Sequence, residues 1–510
     1  MAFLEFLALL WATVIDIGSS IFSGKQTTTR SVSSVRLHNT LSGEKEAFTT
    51  ILPNTVKMYN CGPTVYGPQH IGNLSMFVFT DVLRRTLEYA GYKMRQVINI
   101  TDFGHLTSDA DEGEDKMTKG LKREGLKPTL ENMRSLAEKY TGTFLDDLKT
   151  LNAKLDDTEF PRASDFIPAQ IAMIKTLEEK SYAYAGKHGV YFDTGRFPDY
   201  GKLGNINLEN LKEGARVAAN DEKRNPTDFV LWKNDAKLGW DSPWGKGFPG
   251  WHIECSAMIR AILGEQIDIH TGGIEHIPVH HNNEIAQSEA ATGKKPFSRF
   301  WLHRAHLQLE GGKMAKSEGN VVHLSDIVKK GFHPMSFRYL LLGAHYRQPS
   351  NFTWEALEAA QGAFLKLRKL IDTLPEGGQV PQDYKNRFRE RVFDDIDTPG
   401  AVAILWEMVK DADLAPKNLR AGLIDFDSVL GLGFAKEDAK ARELWEKELG
   451  VVVSSAEAPM HIQELLAKRE TARAEKKWAD ADDYRVQIEA AGFVIEDTTD
   501  GPRVVKKTSA

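Results

Sequence analysis

The chain predicts an α/β fold: one parallel sheet built in two halves, with a long insertion between them and helices after the second half. Three observations carry this. The stretch from Val56 to Thr101 runs strand, glycine-containing turn, amphipathic run and strand, which is a βαβ unit. Two further strand patterns, QIDIHTGG (Gln266 to Gly273) and RFWLHRAHLQLE (Arg299 to Glu310), appear only after a more polar stretch from Gly104 to about Gly245. From Ser336 onward the pattern is mainly helical, broken near Pro375, Pro399 and Pro459.

In chain order, residues 1–34 read as an extension, expected to be unstructured. Its apolar run, Phe6 to Ile15, is long enough for an export-signal core but too short to span a bilayer. No Lys or Arg precedes the run, Glu5 does, and Asp16 follows it, so export or membrane attachment is the weaker reading. VRLHNTLSGEKEAF, from Val35, opens the first half of the sheet, residues 35–103. VKMYN alternates as a strand and breaks at Gly62-Pro63 and Gly67-Pro68. Phe77, Val78, Val82, Leu83 and Leu87 then recur at helical spacing, and Gly91 is the stop. The insertion, 104–245, holds two helical stretches (Leu130 to Leu151, Pro168 to Tyr184) and a β-rich piece, GVYFDT. At its start lies an acidic run (Asp109, Asp111, Glu112, Glu114, Asp115), read as a solvated loop with a divalent-metal site as the alternative. The second half of the sheet is expected over 246–335, a helical domain over 336–450 and a small terminal domain over 451–510.

Composition sets outer limits. Of 510 residues, 41% are hydrophobic and 27% charged, as in a water-soluble globular protein of several domains. A net charge of −6 gives no global sign of nucleic-acid binding, so such a surface has to be a local patch. The only cysteines, Cys61 and Cys255, lie far apart, which excludes a disulfide framework and points to a reduced, cytoplasmic setting.

Three stretches carry chemistry. His70-Ile71-Gly72-Asn73 stands where the βαβ unit puts a helix N-terminus at the carboxyl edge of the sheet. Free N–H groups and the helix dipole favour an anion there, and His70, the Gly72 backbone and Asn73 can all meet a phosphate. A capping Asn73 beside a turn histidine is the plain structural alternative. Cys61, Cys255, His280 and Glu284 are all ordinary zinc ligands, and His280 and Glu284 share a helix face. Against that stands a reading of two buried small cysteines and a polar helix start. Zinc would deprotonate a substrate thiol, whose ordinary pKa is about 8.5, and favour it over an alcohol. A shaped pocket separates such a pair by only about 100-fold. Finally, Lys313 and Lys316 flank Met314 in a glycine-bounded loop. Two mobile ammonium groups near a phosphate site suit phosphoryl or nucleotidyl transfer; a solvated basic turn is the alternative.

Taken together, the segments CGPTVYGPQHIGN, NITD, GARV (Gly214 to Val217), RNPTDFVLWK, GWHIECSAM, DIHTGG, HHNNEIAQSE and KMAKSEGN closely resemble the cysteinyl-tRNA synthetases, class I aminoacyl-tRNA synthetases. The resemblance runs from about Val35 to the C-terminus. It implies a Rossmann-type catalytic domain split by a connective insertion, then a helical bundle that contacts the tRNA stem, then a small anticodon-binding domain. It also implies one zinc ion held by Cys61, Cys255, His280 and Glu284. ATP, with Mg2+, is expected at His70, Gly72, Asn73, Lys313 and Lys316, with His70, Lys313 and Lys316 catalytic. Cysteine is expected against Thr101, Trp251 and His270. Cysteine tRNA would be the remaining partner, with Lys468, Arg469, Arg473, Lys476 and Lys477 offering phosphate contacts. No membrane is expected, and the chain is expected to act as a monomer.

The chain departs from the family pattern at several places. Asn73 stands where the first signature ordinarily ends in histidine, Ala315 where the second has serine, and Thr271 where a glycine is usual. The segment after Asp102, FGHLTSDADEGEDKM, is also longer than the common acidic form. Two rival functions follow: a ligase that passes activated cysteine to a small amine, as in the mycothiol-pathway relative, and a catalytically silent tRNA-binding paralogue. The terminal anticodon-like domain speaks against the first, the intact lysines and metal ligands against the second.

Overall fold

The computed structural model describes residues 34–103, 116–206, 222–309, 312–313, 321–449, 451–453, 458–498 and 501–506. The apolar run near the N-terminus, the acidic run 109–115, the GARV segment, Ala315 and Lys316 lie outside the described residues.

The first half opens with a hairpin, β1 (Arg36–Asn39) and β2 (Glu44–Ala47), followed by β3 (Thr55–Asn60), α1 (Ile71–Tyr89) and β4 (Lys93–Ile98). The insertion holds α2 (Lys116–Arg123), α3 (Leu130–Thr150), β5 (Thr158–Glu159), α4 (Ile167–Glu179) and the strands β6 (Ala183–Ala185), β7 (Gly189–Phe192), β8 (Phe229–Asn234) and β9 (Gly247–Pro249). The second half supplies α5 (Trp251–Ile262), β10 (Ile267–Gly273), α6 (Asn282–Thr292) and β11 (Ser298–Arg304).

The main sheet has the order β11-β10-β3-β4-β5, and every neighbouring pair is parallel. Numbered by position in the chain this is 5-4-1-2-3, the doubly wound order, and it reverses between β3 and β10. Ligands of such sheets bind outside the carboxyl ends of the strands at that reversal. The edge strand β5 comes from within the stretch read as insertion. Its Glu159 pairs with Val97, so the chain returns to the sheet before it builds the separate four-stranded sheet β6–β9.

Why α1 is apolar on more than one face is clear from its neighbours. Phe79, Val82, Leu83 and Leu87 pack into one core, with the later helices. Leu74, Phe77 and Val78 pack into another, with Met133, Leu136 and Phe144 of α3. A helix covered on two sides needs the wide apolar belt seen in its sequence. Each fully buried Leu or Phe contributes about 1.5–3 kcal/mol. Gly91 follows with φ +103°, a left-handed backbone that stops the helix, as its place in the pattern predicts.

Beyond the sheet, β12 (Leu307–Leu309), β13 (Gly312–Lys313) and β14 (Ser350–Phe352) form a small sheet of their own. The helices α7 (Leu324–Lys329), α8 (Pro334–Leu342), α9 (Trp354–Thr373), α10 (Gln382–Phe393), α11 (Thr398–Val409), α12 (Pro416–Leu430) and α13 (Ala439–Leu449) make the helical region. The terminal part adds strands to the mainly helical pattern. It pairs α14 (Met460–Ala474) and α15 (Trp478–Ala490) with an antiparallel sheet of β15 (Val451–Val453), β16 (Phe493–Thr498) and β17 (Gly501–Lys506). These strands are short and rich in valine, and the neighbouring helical pattern hides them from a periodicity reading.

Candidate functional site

A cleft of about 480 Å3 opens at the carboxyl edge of the main sheet. One end is formed by the turn after β3 and the start of α1, including Thr64, His70 and Asn73; the other by Cys61, Trp251 and His276. Gly62 makes this turn possible. A Cβ there would stand 1.6 Å from the Asn99 carbonyl oxygen, so only glycine fits, and its N–H donates to Asn99 Oδ1 at 2.7 Å.

At the first end, His70 is the N-cap of α1, and its Nδ1 accepts from the Asn73 N–H at 3.2 Å. The capping residue is thus His70 and not Asn73, whose side chain is exposed. No acidic residue occupies the first turn. The positive end of the helix therefore faces the cleft without an internal counter-charge. The Ile71 N–H donates to the Val322 carbonyl at 2.8 Å, which ties this turn to the chain emerging from the lysine loop. Lys313 lies in β13, paired through its backbone with Gln308.

Behind Cys61, four segments converge. Cys61 follows β3, Cys255 lies on the buried face of α5, and His270 lies in the middle of β10. His280 and His281 close a π-helical turn, Ile277–His281, that leads into α6 and its first-turn residue Glu284. All of these side chains are buried. Donor atoms of Cys61, His280, His281 and Glu284 lie within 4.8 Å of one another. Cys255 is not one of these four, but Cys61 and His280 both act on its buried thiol. His280 Nε2 stands 3.0 Å from Glu284 Oε1, so the four-residue spacing does bring the pair together.

The cluster is held from outside by three further histidines, His252, His270 and His303. His270 Nε2 meets Glu284 Oε2 at 3.0 Å while its ring stacks on Trp301. His252 Nδ1 meets His280 Nδ1 at 2.8 Å. His281 Nε2 lies 3.3 Å from Cys61 Sγ, and its Nδ1 meets His303 Nε2 at 2.7 Å. Gly272 allows this crowding, since a Cβ there would lie 2.6 Å from both His276 Nδ1 and His281 Cε1.

The electrostatics are those of a buried, internally paired cluster. Burial opposes the charge on Glu284, but His270 and His280 outweigh it and hold the carboxyl at about 2. Burial likewise opposes a charge on His280, and Glu284 with Cys255 lifts it to about 10. The Cys61 hydrogen bond draws the Cys255 thiol down to about 7, while burial pushes Cys61 up. Two thiols, imidazoles and one carboxylate, with histidine ring nitrogens fixed by outer partners, fit the donor chemistry of zinc.

The remaining predicted positions fall in two places. Trp251 lines the cleft with its ring 4.4 Å from that of His280, and the Lys116 ammonium lies 5.4 Å over it. Thr101 is buried behind the turn, where its hydroxyl donates to Glu254 Oε2 at 3.1 Å. Thr271, a departure from the family pattern, accepts from Asn60 Nδ2 at 2.7 Å. Asn60 Oδ1 in turn accepts from Gln96 at 2.7 Å, a buried polar rung across β10, β3 and β4. Sequence reasoning missed His281, His252, His276 and His303. Its only signal for them was the density of histidine around known motifs, because each acts through contacts between separate segments.

Comparison with known proteins agrees with this geometry. Residues 47–362 match the model of the class I (C) tRNA synthetase catalytic domain, and 455–503 match the cysteinyl-tRNA ligase anticodon binding domain. A cysteine–tRNA ligase of Burkholderia lata is 46% identical over 474 residues, covering 92% of this chain and 96% of that protein. One from Thermus thermophilus is 41% identical over 489 residues, covering 92% and 98%. In fold, a Mycobacterium tuberculosis methionyl-tRNA synthetase solved with methionyl-adenylate superposes with a TM-score of 0.50 at 14% identity, covering 77% of this chain and 91% of that one. Among the described residues no helix is long and apolar enough to cross a membrane. A doubly wound sheet carrying a buried thiol–histidine–carboxylate cluster, followed by an anticodon-binding domain, places the chain in the cysteine–tRNA ligase family of class I aminoacyl-tRNA synthetases.

Proposed function

We propose that the protein activates cysteine with ATP to cysteinyl adenylate and transfers the cysteinyl group to the 3′ end of cysteine tRNA. The observation that carries this is one cleft lined both by a helix N-terminus suited to phosphate and by Cys61, the residue through which a buried thiol, imidazole and carboxylate cluster suited to a soft cation reaches it. Cys61, Cys255, His280 and Glu284 would hold one zinc ion, and His281 would orient Cys61 from behind. Zinc, when bound there, stabilises a substrate thiol as thiolate and prefers it to an alcohol.

The chain's own residues supply the rest. Trp251 walls the cysteine side chain, and His270 fixes Glu284, with Thr101 in support behind the turn. His70, Gly72 and Asn73 present the α1 N-terminus to the phosphates of Mg2+-bound ATP. In the first step the cysteine carboxylate attacks the α-phosphate and pyrophosphate leaves. Lys313 and Lys316 neutralise the charge that builds on the phosphate oxygens. In the second, the terminal ribose hydroxyl of the tRNA attacks the adenylate carbonyl and AMP leaves. Positioning and charge account for both steps without a side-chain base. Cys61 and Cys255 are free thiols, which supports a reducing, cytoplasmic setting.

The test is ATP-dependent charging of total tRNA with radiolabelled cysteine, with serine in parallel. The expected result is cysteine charging without serine charging. Adenylate formation without charging would replace this reading with the small-amine ligase.

A further inference from the structure

Arg304 ends β11 at the carboxyl edge of the sheet, and none of the chemistry above uses it. Five arginines are buried among the described residues: Arg84, Arg304, Arg338, Arg368 and Arg469. Four of them meet a carboxylate, namely Glu88, Asp81, Asp372 and Asp497 respectively. Arg304 is only 6% exposed, yet no carboxylate of the described residues lies within ion-pair distance of it. Burial lowers its pKa to about 10 and nothing opposes that, so it still carries its charge at neutral pH. A buried cation without a counter-ion is strongly unfavourable, and removing the charge would relieve the protein.

Its surroundings say what the counter-ion is. Arg304 Nε donates to Ser75 Oγ at 3.1 Å, and Ser75 Oγ donates to the Gly72 carbonyl at 2.7 Å. The guanidinium is thereby coupled to the first turn of α1. It borders the cleft beside His70 and Asn73. It also borders a cavity of about 20 Å3 lined by Phe79, Leu342 and Tyr346, which is too small and too apolar to hold an anion. Two independent features, a helix N-terminus without an acidic residue and an unbalanced buried guanidinium, therefore converge on one volume.

We propose that Arg304 is a phosphate-binding residue of the cleft, pairing with a phosphate oxygen of the nucleotide substrate or of its pyrophosphate product. This rests on the adenylate-forming reading only for the identity of the nucleotide. A guanidinium and a phosphate pair through charge-assisted, often bidentate hydrogen bonds, a geometry that lysine does not reproduce.

The test is titration calorimetry of the full chain with ATP, AMP and inorganic pyrophosphate, for wild type, Arg304→Met and Arg304→Lys. Arg304→Met is expected to weaken ATP binding roughly 10- to 100-fold, with Arg304→Lys recovering part of the loss. Loss for ATP and pyrophosphate with AMP unchanged assigns Arg304 to the leaving phosphates; loss for ATP and AMP assigns it to the α-phosphate. Unchanged ATP and pyrophosphate binding in folded Arg304→Met overturns the proposal. So does a wild-type chain whose melting temperature neither pyrophosphate nor ATP raises, a measurement that needs no variant. Cysteine-dependent ATP–pyrophosphate exchange is run alongside. Its absence in a wild type that binds ATP through Arg304 would sink the adenylate reading and leave this assignment standing.

Discussion

Replacing His252 with Phe should weaken zinc binding without disturbing the fold. His252 is buried on α5, and its Nδ1 stands 2.8 Å from His280 Nδ1. That contact leaves His280 Nε2 directed at Glu284 Oε1, 3.0 Å away, which is the nitrogen a metal would use. Phenylalanine keeps the ring volume and the edge contact with Phe229, whose centroid lies 5.6 Å from that of His252. It removes the polar partner, however. A buried ring N–H left unpaired costs about 1–3 kcal/mol. Loss of an outer partner of a metal-bound histidine ordinarily lowers affinity about 10- to 100-fold, equal to about 1.4–2.7 kcal/mol. The two estimates agree, so the expected loss lies in that range. The assay is competition for zinc against a chromophoric chelator, with the melting temperature measured on the same sample as a control for folding. An affinity within about threefold of wild type would refute the reasoning, because the His252–His280 contact would then contribute little to orienting the ligand.

Three further outcomes are expected. Removing zinc with a chelator should leave ATP binding intact and sharply reduce cysteine selection. In cysteine- against serine-dependent pyrophosphate exchange, any residual preference should fall to the roughly 100-fold or less that shape alone provides. Lys316→Ala should slow adenylate formation by orders of magnitude, seen in exchange kinetics, with cysteine affinity nearly unchanged; equal loss of both would count against its assignment to the phosphates. Asp81→Asn should destabilise the chain by about 3–5 kcal/mol in urea unfolding, because it strips the counter-charge from buried Arg338. Burial opposes the Asp81 charge, but Arg338, Arg85 and the Lys154 N–H outweigh it and depress its pKa. Its contribution is therefore complete above the unfolded value of about 3.9 and fades as the pH falls through the lower folded one. The gap between wild type and variant should narrow below about pH 4, and a gap independent of pH would show that charge is not the cause.

Much of the fold was legible because local chemistry and tertiary role agree. Val56 to Asn60 reads as a strand and forms one, though it is buried on both faces over Met58 to Asn60, Phe77 to Leu87 recur with helical period, and Gly91 takes the left-handed conformation its place demands. The terminal sheet was not legible, since three-residue and six-residue valine-rich strands beside strong helices give no distinct period. Thr158–Glu159 was missed for the same reason: two residues have no periodicity, and only pairing with β4 makes them a strand.

At the site the division is similar. The sequence by itself determined the turn after β3, the helix behind it, the pairing of His280 with Glu284 and the two cysteines, because these are set by spacing along one element or by rarity. The tertiary structure alone decided which residue caps α1, the contacts among His252, His270, His281 and His303, and the isolation of Arg304 from every acid of the described residues. Those depend on which segments meet when a parallel sheet of order 5-4-1-2-3 closes. Contacts between residues more than 200 positions apart, such as Cys61 with His281, leave no trace in local pattern, because the energy that selects them is the burial and pairing of groups that only the folded sheet brings together.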